Sequence, residues 1–388
     1  MSSSTRTPSG SAKAGPFKKR GNKGGFRKGG SRRSVTVSTD ALVRTPGLAA
    51  GETFPLVVEP AVEGFDPMTW ARDHGAWIDQ HLDRYGALLL RGFGFQNPVA
   101  FETFCAAAGA ESLEYTERSS PRSRVEGKIF TSTDYPPERE IFLHNEQSYN
   151  TVFPRRIAFC CLQESNTGGA TPIADTRRFF AEMDPEIRRR FVERDYLYVR
   201  NLGGGLGLSW QEAFQTEDPA AVEAYCEAND IRATWLEGEG GTRRLRTAQR
   251  RSAAARHPVT GDGTWFNHIT FFHVTTLEAD VRDSFLSALA AEDLPNQTYY
   301  GDGEEIEAET LEHLRALYRR LTVRFPWKQG DALLLDNMLA AHGRDPFEGA
   351  RKVVVSMSAP TPWSEVALDS DGLDQLSSGA AGRERTQA

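Results

Sequence analysis

Eight histidines are spread over 388 residues, and two of them stand two positions before a carboxylate. An imidazole and a carboxylate at that spacing grip one metal ion only where the backbone turns both side chains the same way. With 53 acidic residues in the chain, roughly one such pair arises by chance, so local geometry has to separate signal from accident. His81-Leu82-Asp83 lies where Trp77, Ile78, His81, Leu82 and Tyr85 recur at helical spacing. Residues two apart on a helix point about 200° from one another, so that pair cannot chelate. His144-Asn145-Glu146 follows Ile141-Phe142-Leu143, an apolar run that reads as the end of a strand. There residues i and i+2 share a face, and both side chains reach one metal.

Two imidazoles and one carboxylate leave half of an octahedral shell open, the arrangement with which non-haem Fe(II) oxygenases hold a chelating co-substrate together with O2. The second histidine is then expected far away in sequence and adjacent in space. His342 closes the segment Asp331-Ala332-Leu333-Leu334-Leu335-Asp336-Asn337-Met338-Leu339-Ala340-Ala341, and Arg351 opens the next strand nine residues later. A guanidinium at that distance suits the far carboxylate of 2-oxoglutarate, because it stays charged and bonds both oxygens.

Such a constellation needs a frame of strands. The sequence predicts them over Ala87–Phe93, Glu140–His144, Arg156–Leu162, Tyr196–Asn201, Leu321–Trp327, Asp331–Asp336 and Arg351–Ser358, most of them aliphatic or aromatic and bounded by Gly, Pro or Asn. Helical stripes are fewer: the one through Trp77 and Tyr85, a second through Val281, Phe285 and Leu289, a third through Leu314, Leu317, Tyr318 and Leu321. There is no internal repeat, and many strands with helices outside them fit a barrel or sandwich core. The run Gly203–Gly207 lacks the spacing of a phosphate loop and reads as a mobile turn. Cys160 and Cys161 are neighbours in a strand and point to opposite faces, and the four cysteines match neither a zinc ribbon nor a disulfide framework.

The formal charge of −7 conceals two regions. Residues 1–39 hold ten Lys and Arg and no Asp or Glu, which leaves a body at −17. This Gly- and Ser-rich tail lacks apolar residues to offset the entropy of ordering; it reads as a disordered segment, either simply solvated or a weak tether to nucleic acid or an acidic partner. The expected organisation is a basic tail over 1–39, a catalytic domain over 40–364 and a flexible C-terminal tail over 365–388. No apolar run approaches the ~18 residues of a membrane span, and no apolar stretch follows the basic N-terminus as a secretory leader requires, so the expected compartment is the cytoplasm.

Three ordered segments carry a resemblance: Leu143-His144-Asn145-Glu146-Gln147-Ser148-Tyr149, Gly168-Gly169-Ala170-Thr171-Pro172-Ile173-Ala174-Asp175, and Ala341-His342-Gly343-Arg344-Asp345-Pro346-Phe347-Glu348-Gly349-Ala350-Arg351. Together they resemble the taurine dioxygenase/clavaminate synthase-type Fe(II)/2-oxoglutarate oxygenases from about Gly86 to Pro360. Arg118-Ser119-Ser120-Pro121-Arg122, Thr131-Ser132-Thr133 and Trp265-Phe266-Asn267 look like the bacterial branch encoded beside nonribosomal peptide synthetases. The resemblance implies an α+β, mainly β fold, a double-stranded β-helix (jelly roll) with flanking helices and a helical insert. It implies His144, Glu146 and His342 as iron ligands, Arg351 as the 2-oxoglutarate clamp and Thr171 as a second bond to that co-substrate. Where the family usually has Gln after Trp265-Phe266-Asn267, this chain has His268, with His273 close behind. Asn267, His268, Arg118 and Arg122 are the candidate substrate contacts, each also readable as a core or surface side chain.

The expected function is hydroxylation of an unactivated C–H bond in an amino acid, free or tethered to a peptidyl carrier protein, with release of succinate and CO2. Desaturation or cyclisation by the same iron-centred oxidant is the alternative within enzymes. A nucleic-acid-associated binding protein acting through its tail is the alternative outside them, and the intact His144, Glu146, His342 and Arg351 argue against it. Substrate identity is not encoded in these motifs, because it depends on pocket contacts.

Overall fold

The computed structural model describes residues 39–48, 53–109, 113, 117, 119, 124–126, 129–131, 135–203, 207–237, 241 and 243–376. Its largest sheet has eight strands, ordered Val43–Arg44, Leu56–Pro60, Ala87–Leu90, Ala332–Asp336, Val152–Gln163, Lys352–Pro362, Ile129–Thr131 and Arg124–Glu126. All neighbours are antiparallel except Leu56–Pro60 beside Ala87–Leu90. Residues 87–90, 157–162, 332–335 and 353–355 of the central strands are uniformly apolar because both faces of the sheet are covered there. Leu88, Leu90, Cys160, Leu334 and Val354 pack outward with Trp70, Ile78, Leu82 and Phe104 of the flanking helices. Leu89, Cys161, Leu333, Leu335, Val353 and Val355 pack inward against Ile173, Phe325, Trp327 and Ala340. Cys160 and Cys161 thus occupy opposite faces, as alternation along a strand requires.

Ile173 and Ala340 belong to a second sheet, ordered Ile141–His144, Ala340–Arg344 and Ile173–Asp175. Its packing against the larger sheet makes the jelly roll, and the predicted metal ligands lie on this smaller sheet. Helix Gly75–Tyr85 buries Ile78 and Leu82 and stops at Gly86, whose φ of 76° is the left-handed cap that glycine adopts without strain. Helix Ala308–Leu321 buries the expected stripe, with Leu311 added at its start. The stripe through Val281 and Phe285 forms helix Ala279–Ala288.

Three expectations are corrected. The segment 321–327 is not a strand: the helix runs to Leu321, and the extended chain beyond it makes a single bridge, Val323 to Ile173. The insert contains helices Trp210–Phe214 and Pro219–Ala228, but its frame is a four-stranded antiparallel sheet ordered Arg232–Glu237, Arg243–Arg251, Tyr196–Leu202 and Asn296–Tyr300. Residues 365–376 are not loose, since residues 370–376 are helical and Leu368 and Leu373 are buried in the main core. Asp369 starts that helix by accepting from the Gly372 N–H at 2.8 Å. The basic tail and the C-terminal residues from 377 lie outside the described residues. No described helix is long and apolar enough to cross a membrane.

Candidate metal centre and its cavity

His144 and His342 are direct partners across one antiparallel ladder. Their ring centroids lie 4.6 Å apart. Glu146, just past the strand end, brings Oε2 to 3.9 Å from His342 Nε2. Donor atoms of all three side chains fall within 4.8 Å of one another, and all three residues are buried. The His144 Nδ1 is 2.9 Å from the Phe142 carbonyl. A carbonyl only accepts, so Nδ1 carries the proton and Nε2 is left with the lone pair that a metal takes. Gly343 lets the strands close here, because a Cβ on it would stand 2.5 Å from the Ile141 carbonyl oxygen. Two imidazoles and a carboxylate converging in a buried site fit a divalent cation held on one face. The same donors would also suit a hydrolytic zinc, so the rest of the site has to decide.

The backbone of Glu146 is held by Asn337, which is fully buried. Asn337 Oδ1 accepts from the Glu146 N–H at 2.8 Å, and Nδ2 donates to the carbonyls of Glu146 at 2.9 Å and Pro154 at 2.8 Å. Asp336, beside it, caps the following turn by accepting from the Met338 N–H at 2.9 Å. A second group, Asp83, His257 and Asp336, also gathers donor atoms within 4.8 Å. It is satisfied as an ion network. Thr260 N–H donates to His257 Nδ1 at 3.1 Å, so His257 Nε2 bears the proton and donates to Asp336 at 3.1 Å. Arg155 stands 3.6 Å from Asp83 and 3.7 Å from Asp336 and supplies the cation. His81, as its helical position demanded, turns away from Asp83 and donates to the Trp77 carbonyl at 2.8 Å.

Arg351 and Thr171 lie together: Arg351 Nε donates to the Gly169 carbonyl at 2.9 Å, and Nη2 is 3.5 Å from Thr171 Oγ1. Trp327 Nε1 donates to that hydroxyl at 3.0 Å, leaving its proton to point elsewhere. Gly169 has a φ of +70°, and a Cβ there would stand 3.0 Å from Arg351 Cδ. Burial, and then the charge of Arg344, push the Arg351 guanidinium down to about 10. It remains cationic at neutral pH, in surroundings that a bound carboxylate would relieve. Arg351 lines a pocket together with Cys161, Gly169 and Trp327.

Residues 52–357 match the family model described as taurine catabolism dioxygenase TauD, TfdA family. The chain belongs to the TauD/TfdA dioxygenase family. The dapdiamide synthesis protein DdaC of Enterobacter agglomerans is 42% identical over 283 residues, covering 73% of this chain and 85% of its own. A clavaminate synthase-like protein of Arabidopsis thaliana is 29% identical over 291 residues, covering 72% and 84%. Among solved structures, that of PvcB from Pseudomonas aeruginosa is 16% identical with a TM-score of 0.48, covering 83% of this chain and 93% of that one. This TauD/TfdA member is an Fe(II)/2-oxoglutarate-dependent oxygenase, and its donor set fits that iron.

A cavity of about 570 Å³ opens from the triad of this TauD/TfdA oxygenase, with His144 and Glu146 in its wall. His268 lines it and is fixed by a 2.6 Å contact between its Nδ1 and Ser148 Oγ and by stacking on Phe272 at 4.7 Å. Burial, then the adjacent His144, hold the His268 imidazole well below its usual range, so it is a neutral polar group near pH 7. His273 also lines the cavity. Asn267 is not among the residues that line this cavity. Its Nδ2 donates to the Ala253 carbonyl at 2.7 Å and its Oδ1 accepts from the Ile269 N–H at 2.9 Å, which makes it a brace for the turn before helix Ile269–Phe272. Arg118 and Arg122 lie outside the described residues. Asn337 and Trp327 were not foreseen; they act on a backbone and on a hydroxyl, and neither contact leaves a spacing in the sequence.

Proposed function

We propose that this TauD/TfdA oxygenase hydroxylates an unactivated C–H bond of an amino acid, free or presented on a peptidyl carrier protein, in cytoplasmic secondary metabolism. The observation that carries this reading is the buried His144, Glu146 and His342 triad at the end of a cavity that also holds the neutral His268 and the rings of Phe271 and Phe272. When bound, Fe(II) and 2-oxoglutarate supply with O2 the oxidant for the C–H bond, and succinate and CO2 leave. Arg351 and Thr171 orient the co-substrate through its far carboxylate. Phe271 packs against the His144 ring at 4.5 Å and helps keep water from the reacting centre. His268 offers one hydrogen-bonding nitrogen that fixes which carbon approaches the metal. Glu146 fills the place a halogenase leaves to chloride, so the product gains oxygen and no halogen. The likeness to a dapdiamide synthesis protein supports a synthetic pathway.

The test is a mass-shift screen of amino acids, free and carrier-bound, with Fe(II), ascorbate and 2-oxoglutarate in excess chloride. A product heavier by one oxygen, with matching succinate, is expected; loss of two hydrogens would reassign the reaction to desaturation or cyclisation. His144→Ala, Glu146→Ala and His342→Ala should each abolish succinate formation, and normal turnover in any of them would remove that residue from the triad.

A further inference from the structure

Strands Ala254–Arg256 and Gly263–Trp265 form a hairpin whose end is closed by His257. The His257 N–H donates to the Asp262 carbonyl at 2.8 Å, and the His257 carbonyl accepts from the Gly261 N–H at 2.9 Å. The Thr260 N–H reaches Nδ1 at 3.1 Å. A backbone amide only donates, so the ring is held with its proton on Nε2. His257 is fully buried, and Nε2 lies 3.1 Å from Asp336 Oδ2. The hairpin also packs on the residues that follow Asp336: Ala255, Phe266 and Met338 share one buried cluster with Phe153 and Trp363. One polar and one apolar contact thus join the hairpin to the same turn.

Asp336 is itself buried, and its two oxygens have different tasks. Oδ1 accepts from the Met338 N–H at 2.9 Å and the Leu339 N–H at 3.3 Å, which shapes the turn into strand Ala340–Arg344. Oδ2 takes the His257 proton. Among the described residues His257 is the one side chain that hydrogen-bonds Asp336; Arg155, at 3.7 Å, contributes charge without a hydrogen bond. Asn337 sits between the residues so held. Its N–H donates to the Arg155 carbonyl at 2.7 Å, and its side chain grips both backbone polar groups of Glu146. A buried carboxylate keeps one direction only while its oxygens are paired. Without the His257 proton Oδ2 loses its donor, and the turn that carries Asn337 loses the anchor at its start.

We propose that His257 is a positioning residue for the metal centre: through Asp336 and the turn 336–339 it fixes the direction in which Asn337 presents Glu146. This rests on the reading of His144, Glu146 and His342 as the metal triad and adds to it a residue of the hairpin that contacts none of the three.

The experiment is titration of the full chain with Co(II), followed by its visible absorption bands, in wild type, His257→Ala, His257→Gln and Asp336→Asn. His257→Ala removes the donor, whereas Gln places an N–H at about the reach of the imidazole Nε2. His257→Ala should shift the bands and weaken Co(II) binding about three- to tenfold, less than loss of a direct partner of a ligand, and His257→Gln should stay within about twofold of wild type. Asp336→Asn keeps the acceptor for the Met338 and Leu339 N–H groups but sets a second donor against His257, so it should show the same loss even if the Ala variant does not fold. Wild-type affinity in a folded His257→Ala protein, an equal loss in His257→Gln, or unchanged affinity in Asp336→Asn would overturn the proposal. The triad is read separately: Co(II) binding indifferent to His144→Ala sinks the metal centre itself, whereas binding lost with His144 and indifferent to His257 sinks only the positioning role.

Discussion

Asn337 holds Glu146 by both of its backbone polar groups, although 191 positions separate them in the chain. The candidate metal-binding carboxylate thereby takes its direction from the turn between strands Ala332–Asp336 and Ala340–Arg344, the second of which carries His342. Two candidate ligands distant in sequence are fixed to one rigid element.

Asn337→Asp keeps the shape and one acceptor but cannot donate to the Glu146 and Pro154 carbonyls. Each buried group left unpaired costs about 1–3 kcal/mol, and loss of a residue that orients a ligand lowers metal affinity about 10–100-fold. Titration with Co(II) or Mn(II) should show that loss with all three ligands intact. Unchanged metal affinity in a folded Asn337→Asp protein would make the residue a packing element only.

Arg351→Gln should raise the 2-oxoglutarate requirement about 10–100-fold while metal binding persists, since a charged bidentate bond is replaced by a neutral one. Thr171→Val should shift the same requirement less, in the same direction. An unchanged requirement in Arg351→Gln would show that another cation, such as Arg344, whose charge acts on Arg351, holds the co-substrate.

Burial, and then Arg315, push His273 down to about 4. The unfolded chain takes up the proton near pH 6.5, so between there and pH 4 the unfolded state binds more protons and stability falls as pH falls, by at most about 3 kcal/mol. Asp331 works the other way: burial raises its carboxyl to about 6 despite Arg91, so the folded state binds more protons below that pH and gains stability there. The diagnostic quantity is therefore a difference. His273→Gln should lose less stability than wild type between pH 6.5 and 4 in urea titrations, and parallel curves would refute the assignment.

Deletion of residues 368–388 removes Leu368 and Leu373 from the main core. At about 1.5–3 kcal/mol for each buried side chain, the loss should be roughly 3–5 kcal/mol, visible as a lower thermal midpoint. An unmoved midpoint would mean that the C-terminal helix docks without stabilising the barrel.

His144 and Glu146 were legible as a pair because residues two apart at a strand end can share a face, although Glu146 lies in the turn beyond the strand, where Asn337 holds its backbone. His342 and Arg351 were legible through their company. Segment 321–327 shows where such reading stops. Leu321, Phe325 and Trp327 are all buried and alternate as a strand does, yet alternation reports an extended chain with one covered side and says nothing of whether a ladder forms. Arg243–Arg251 shows the converse, a strand whose inward residues are Leu245, Thr247, Gln249 and Arg251, too polar to display the apolar period. Asn337 left no trace because its partner is a main chain. The C-terminal helix was obscured by its composition, in which Leu373 and Leu376 are set among Asp, Gly and Ser.

The three candidate iron ligands, Thr171 and Arg351 stand on or beside strands of the jelly roll, whereas Arg200, His268, Phe271 and Phe272 of the cavity wall fall within one continuous stretch bounded by strands Tyr196–Leu202 and Asn296–Tyr300. The triad and much of the cavity wall beside it are thus written in different lengths of the gene. Recombination confined to that stretch, with its ends held by neighbouring antiparallel strands, would replace much of the wall at once and leave the triad in place, a form of evolvability that point changes scattered around a barrel do not offer.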